Sequence, residues 1–351
     1  MRRTIAAIVL ALSAARTGAA QTASPAARTP EPPLRRWFEF QQFVLSTRYR
    51  FIENSADVVT FNHMQYREQI RARFNFDRKK QYTLTTGIYS GNNFIGSWNN
   101  LGPGTGTFDG HDHNMRQLYF SATPVAGIEG QFGGIYVNRG ETTEFTSYDD
   151  DGYLVGGRLS IRRPRQLHLD ELSVTEGTVG SINTPNLWTR RHDIQHPNYT
   201  QVLGAKRLSQ LASVSADYTR AAGVHTLRGG VALRFKPKSP ISALRYEQYA
   251  RVSGSKAAGF AVMADRNLPR AIRIQGGYAT VDEKYGGLNA DRVQRGRRFL
   301  ATATIPLVGP LSASLFATHA LHSPYTLTNK TRFDAVLAWD VMASLRKTRK
   351  F

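Results

Sequence analysis

The sequence predicts an all-β chain closed into an antiparallel up-and-down transmembrane β-barrel of about sixteen strands, with about 14 and 18 as the bounds. Three observations predict it. Apolar and polar residues alternate with period two in one segment after another. The connections between these segments are short and long in turn. After its first residues the chain has no apolar run long enough for a membrane helix.

The chain opens with Arg2 and Arg3 before the apolar stretch Ile5 to Leu12, and small residues ending Gly18-Ala19-Ala20 precede Gln21. A membrane anchor needs about 20 continuous apolar residues, so this shorter run with its small-residue cleavage site predicts a secretory signal peptide over residues 1–20. Residues 21–35, rich in Ala, Pro, Thr and Ser, are expected as a flexible segment, and 36–351 as the barrel. With no Cys, an exported chain must hold its fold without disulfides. The formal charge of +20 falls to about +17 without Arg2, Arg3 and Arg16. That excess favours anionic partners, and export argues against nucleic acid.

Strands are expected at 36–53, 62–77, 81–93, 113–123, 126–138, 152–162, 166–178, 199–207, 211–221, 225–236, 242–253, 258–266, 270–283, 296–307, 310–322 and 331–345. In the first, Phe43, Leu45, Thr47, Tyr49 and Phe51 alternate with Val44, Ser46, Arg48 and Arg50. The second sets Ile70, Ala72, Phe74 and Phe76 against Gln69, Arg71, Arg73 and Asn75, and the third sets Tyr82, Leu84, Thr86 and Ile88 against Thr83, Thr85 and Gly87. Segment 166–178 is weaker, because alternation breaks at Asp170-Glu171, and 199–207 is short. Alternation returns with Ala212, Val214, Ala216 and Tyr218 against Ser213, Ser215, Asp217 and Thr219. It continues with Leu227, Val231 and Leu233 against Thr226, Arg228 and Arg234, then Leu244 and Tyr246 against Arg245 and Glu247, and Phe299 and Ala301 against Arg298 and Thr302. In the last segment Phe333, Ala335, Leu337, Trp339, Val341, Ala343 and Leu345 share one face, which predicts a strand to residue 345 and no helix.

Asp77 to Lys80, Thr123 to Gly127, Arg163 to Arg165, Lys236 to Pro240, Asn267 to Arg270 and Val308 to Pro310 are short turns. Between them come connections such as Asn92 to Asn114, Gly140 to Asp151, Val179 to Asn198 and Asp282 to Arg295, several long and rich in Gly or Asn. Short turns on one rim and longer loops on the other fit a barrel in the bacterial outer membrane. Closure follows from physics. Each unpaired backbone group in hydrocarbon costs several kcal/mol, so a spanning sheet can leave no edge.

By pattern from about Arg36 to Phe351 the chain resembles porin-like outer-membrane proteins, and more weakly the alginate-export type. The resemblance implies a monomeric or homotrimeric diffusion channel, bordered by outer-membrane lipid and lipopolysaccharide. It also implies recognition by the barrel-assembly machinery through a C-terminal strand ending in Phe351. Arg346 to Lys350 interrupt that signal, where the family keeps alternation to the end.

With the apolar set toward lipid, the other set faces a lumen that is cationic. Arg48, Arg50, Arg67, Arg71, Arg73, Arg158, Arg228, Arg234, Arg245, Arg251, Arg273 and Arg298 outnumber Glu129, Asp217, Glu247, Asp265, Asp334 and Asp340 there. Guanidinium groups stay charged, donate to carboxylate and phosphate, and concentrate anions in a wet bore. Arg48, Arg50, Arg67, Arg71 and Arg73 form the candidate selective wall, with Tyr89 and Tyr119 on nearby strands. Ion pairing with Asp and Glu across strands is the expectation for about half of the arginines. Trp37, Tyr49, Tyr153, Tyr199 and Trp339 are expected in the lipid-facing aromatic girdle.

His111-Asp112-His113, His192 with His196, and Asp149 to Asp151 fall in expected outer loops without a complete metal-ligand set, so neither a metal nor a cofactor is assigned. Gly102 to Gly106 lacks the Lys-Ser/Thr of a phosphate loop. His168, His225 and His319 lie in strands, but no Gly-x-Ser-x-Gly elbow accompanies them. The reading is a passive outer-membrane channel for small hydrophilic, preferably anionic solutes, and not an enzyme. Its rivals are an outer-membrane lipid hydrolase, a structural barrel with a blocked lumen and, at the level of fold, a soluble β-sandwich.

Overall fold

The computed structural model describes residues 37–90, 113–142, 154–163, 168–179, 186–236, 239–285, 294–323 and 328–348. Sixteen strands follow one another in chain order, and each pairs antiparallel with its sequence neighbours. They are β1 (Phe38–Asn54), β2 (Val59–Asn75), β3 (Tyr82–Ser90), β4 (His113–Val125), β5 (Ile128–Ile135), β6 (Leu154–Arg162), β7 (Glu171–Val179) and β8 (Tyr199–Arg207). The second half holds β9 (Ala212–Ala221), β10 (Val224–Arg234), β11 (Ala243–Arg251), β12 (Ala257–Asn267), β13 (Arg273–Val281), β14 (Gly296–Pro306), β15 (Leu311–His322) and β16 (Asn329–Asp340). β16 returns to β1 in unbroken register from Val44 opposite Asp340 to Glu53 opposite Thr331, which closes the barrel. Closure leaves no free sheet edge.

The two faces differ as alternation requires. Phe74, Phe120, Phe132, Val174, Val202, Leu227, Tyr246, Phe260, Phe299, Leu315 and Leu337 are exposed on one. On the other lie buried Ser46, Thr83, Thr85, Ser121, Ser173, Thr175, Ser213, Ser215, Thr219 and Thr226. Exposed apolar side chains on a closed sheet form a belt around the waist, and the buried polar set faces inward.

Expectations fail at several strand ends: the strand expected from 166 starts only at Glu171, and two further departures shape the ends of the chain's path through the wall. The last strand does not run to residue 345: β16 stops at Asp340, and Val341–Thr348 form a helix, α1. β15 begins only at Leu311, opposite Trp339, and the Asp340 N–H is the last to pair, donating to the Pro310 carbonyl at 3.1 Å. Beyond it a strand would have no neighbour on that side. Asp340 then caps the helix, its Oδ1 accepting from the Ala343 N–H at 2.9 Å. Met, Ala, Leu, Arg and Lys suit a helix once the ladder ends. Phe351 lies beyond α1, outside the described residues.

β5 also falls short of its expected end at 138. Its ladder with β4 stops at Gly133 opposite Tyr119, and the strand ends at Ile135. Gly133 has φ +125°, and a Cβ there would lie 2.2 Å from the Leu118 carbonyl oxygen, so the bend admits only glycine. From this bend the chain leaves the wall.

Candidate functional site: the inward segment and the arginine face

Residues 136–142, which follow β5, cross the interior of the barrel. The Gln201 side-chain amide on β8 donates to the Asn138 carbonyl at 2.7 Å. The Glu141 N–H donates to Ser215 Oγ on β9 at 2.7 Å. Arg234 on β10 reaches Glu141 at 3.4 Å. A segment leaving β5 can touch β8, β9 and β10 in this way only from inside. The contacts therefore fix which face points inward: it is the face of Gln201, Ser215 and Arg234.

The segment is seated by apolar and polar groups together. Ile135 and Val137 pack with Leu154, Tyr199 and Ala221. Tyr199 is thus not part of the outer aromatic girdle, as its position near a strand end suggested. It is 1% exposed and faces inward, opposite Gly177 and Ala221 in register. Tyr153 lies outside the described residues. Asn138 Nδ2 donates to Glu171 at 2.7 Å and to Ser173 at 3.2 Å. Gly230 admits the far end: a Cβ there would lie 2.9 Å from the backbone of Glu141 and Thr142.

Around the near end of the segment stand arginines and tyrosines from β2, β3 and β4. Arg71 donates to the Tyr119 hydroxyl at 3.2 Å, and its guanidinium lies 5.2 Å from the Tyr136 ring centre. Arg116 lies 4.7 Å over the Tyr89 ring. The Tyr89 and Tyr136 hydroxyls are 3.5 Å apart. Burial pushes the Tyr136 phenol well above its ordinary range, so it stays neutral. On the other side of the segment Arg158 donates to Thr175 at 3.1 Å, to Gln131 at 3.4 Å and to the Tyr136 carbonyl. The hydrogen-bond partners of Arg71 and Arg158 named here are all uncharged.

The five arginines expected as one wall divide into separate groups. Arg48 donates twice to Gln65 Oε1, at 2.6 and 3.0 Å. Arg67 is next to it on the same face, opposite Ser46. Arg50 pairs with Asp334 at 2.8 Å, and Arg332 shares that carboxylate at 2.6 Å. Arg73 pairs with Glu39 at the short-turn rim, with Lys80 on the same carboxylate at 2.6 Å. On the opposite wall Arg228 pairs with Asp217 at 3.0 Å, both buried. Arg245 and Arg273 share Asp265 at 2.8 and 2.9 Å. Of the expected site residues, Arg71, Tyr89 and Tyr119 come together, and on the opposite side Arg245 and Arg273 meet at Asp265.

Sequence reasoning missed Arg116, Tyr136, Arg332, Glu39 and Glu141. Arg116 sits where the β3–β4 register shifts between Gly87 and Ile88, and such a bulge resets the parity that assigns a face. Tyr136 would point outward on a β5 extended to 138; it turns inward because the strand ends first. The long connection expected at Asn92 to Asn114 lies outside the described residues except for its last two. Of the histidines, His225 Nδ1 meets the Tyr218 hydroxyl at 2.6 Å and His319 meets Thr331 at 3.0 Å. Among the described residues no three His, Asp or Glu side chains converge to hold a metal ion. Asp149 to Asp151 and His111-Asp112 lie outside them.

No family model matches the sequence, and no curated protein matches it. Solved structures do. A mutant of the Rh. blastica porin superposes with a TM-score of 0.54 over 86% of this chain and 99% of its own, at 10% identity. The chain has the fold of a porin. Salmonella typhi OmpF, in a complex with daunomycin, superposes on this porin-like barrel with a TM-score of 0.56 over 86% of this chain and 97% of its own, at 12% identity. A structure described under asymmetric conductivity of engineered proteins matches at 0.53, with 11% identity over 86% of this chain and 100% of its own.

Proposed function

We propose that this chain is a porin-like channel of the bacterial outer membrane, exported by a signal peptide at residues 1–20, through which small hydrophilic and preferentially anionic solutes diffuse passively. The belt of exposed Phe, Leu, Val and Tyr suits lipid and lipopolysaccharide, and the closed sheet suits hydrocarbon. One observation carries the anion preference. Beside the inward segment Arg71 is held by the Tyr119 hydroxyl and faces the Tyr136 ring, which orient its guanidinium without cancelling its charge, while Arg158 is held by Thr175 and Gln131 with Glu129 and Glu171 nearby. Positive charge so placed at a narrowing attracts anions and repels cations. The arginines paired with Asp and Glu elsewhere contribute shape and stiffness more than field.

The reading assigns the barrel diffusion and no chemistry, as a monomer or a homotrimer. Its test is the reversal potential of purified protein in planar bilayers under a KCl gradient, for the parent and for Arg48→Gln/Arg67→Gln/Arg71→Gln. The parent is expected to favour chloride and the triple variant to lose most of that preference. Equal reversal potentials in the two would remove the arginine face from the account. A silent parent would favour a blocked structural barrel, and ester hydrolysis a lipid hydrolase.

A further inference from the structure

Between the tip of the inward segment and the wall of β10 to β13 lies a cavity of about 320 Å³. Arg234 and Ala243 in its lining flank the short connection between β10 and β11, and Arg273 follows the short connection from β12, so the cavity lies at the level of the short-turn rim. Ala232 and Ala243 leave room at its floor, and Arg234, Arg245 and Arg273 reach into it. Asp265 fixes two of them: its Oδ2 accepts from Arg245 at 2.8 Å and from Arg273 at 2.9 Å, while its Oδ1 accepts from Gln275 at 2.7 Å. Asp265 is buried, yet the Arg273 and Arg234 side chains keep 49% and 43% of their surface exposed. Each guanidinium offers five N–H groups, and Asp265 takes few of them. Most remain for a ligand.

Arg234 is held differently. It donates to Ser213 Oγ at 2.7 Å and reaches Glu141 only at 3.4 and 3.5 Å, well beyond the usual length of a charge-assisted bond. Glu247, the nearest other acid in register, is fully buried beside Gly230 and does not line the cavity. Three cations therefore face two carboxylates, one firmly bound and one loosely.

We propose that this cavity binds a small dianionic oxyanion of the sulfate or phosphate type, which replaces Glu141 at Arg234 and bridges Arg234, Arg245 and Arg273. The charges argue for two on the ligand. With Asp265 in place and Glu141 displaced, three guanidinium groups leave two positive charges to be met. The inference rests on the channel reading for its setting, and places a second anion station in series with the first, nearer the short-turn rim.

The test uses inorganic sulfate and the full-length protein in planar bilayers carrying chloride current. Sulfate is expected to reduce the current saturably, with a lower half-blocking concentration from the side of the short-turn rim, while acetate at equal ionic strength does not. Arg234→Gln and Arg273→Gln are each expected to raise that concentration roughly tenfold, and Glu141→Gln to lower it. Block that is indifferent to both arginine substitutions, or is matched by acetate, overturns the site. If the parent carries no current, the channel reading falls. Calorimetric titration of sulfate into detergent-solubilised parent and Arg273→Gln then decides the site alone: saturable heat lost in the variant supports it, and absence of heat in the parent overturns it.

Discussion

Asn138→Ala isolates the hold of the barrel on its inward segment. The Asn138 side chain donates to the Glu171 carboxylate at 2.7 Å and to Ser173 Oγ at 3.2 Å. A hydrogen bond to a charged acceptor contributes about 1.5–3 kcal/mol and a neutral one about 0.5–1.5. Glu171 regains water when released, so the lower ends apply, about 2 kcal/mol in total. That shifts the balance between seated and lifted segment by roughly thirtyfold, since about 1.4 kcal/mol is a factor of ten. Alanine keeps the backbone carbonyl that accepts from Gln201, so the segment loosens without losing its course. Single-channel records are expected to show brief steps to a higher conductance that the parent shows rarely, and trypsin is expected to cut after Arg139 sooner. Identical conductance, noise and cleavage in the two proteins would refute the premise that residues 136–142 narrow the bore.

Gly230→Val should force the same segment off the wall, because a Cβ would stand 2.9 Å from its backbone, whereas Gly229→Ala, with open space around it, should leave conductance unchanged. Equal effects of the two in bilayer recordings would discount the close approach. Asp217→Asn leaves Arg228 buried without its ion pair and should cost about 3–5 kcal/mol, measured as a lower unfolding midpoint in heated gel-shift assays, with Asp217→Leu/Arg228→Met recovering most of the loss. Phe299→Arg on the outer face should cost about 2–4 kcal/mol of barrel stability in lipid vesicles, and Thr302→Arg on the inner face far less. The opposite order would invert the barrel.

The wall of this barrel was legible because its physics is local. A strand that meets lipid on one side and water or protein on the other must alternate, and Ser213 to Thr219 or Arg228 with Arg234 could be assigned to a face from parity alone. The pairing of neighbours followed from chain order. Arg228 with Asp217 and Arg245 with Asp265 are cross-strand partners on adjacent strands. What could not be read were the departures from the wall. β5 ends at Ile135 and β16 at Asp340 just after β4 and β15 stop pairing with them, and alternation in Ala335 to Leu345 continues regardless of that. Val341 to Leu345 satisfies a period of two and also forms a helix, so a short stretch of pattern was ambiguous once the pairing partner was gone.

Tyr199 shows the deeper reason that an inner face resists reading by polarity. A purely polar interior would leave the inward segment nothing apolar to rest on, since Ile135 and Val137 would exchange contact with water for contact with ordered polar groups. The barrel instead sets Leu154, Val179, Tyr199 and Ala221 on its inner wall at the level where the segment departs, and Leu203 beside Gly140 further along. Burying those side chains stabilises the seat by about 25 cal/mol per Å² of apolar surface removed from water. It also leaves the polar anchors at Asn138 and Ser215 to set direction. The inner face therefore carries an apolar seat and a charged lining side by side. Residues of the seat look lipid-facing in the sequence because they are chosen for contact with the chain itself, and the sign that separates the two cases is their non-local partner.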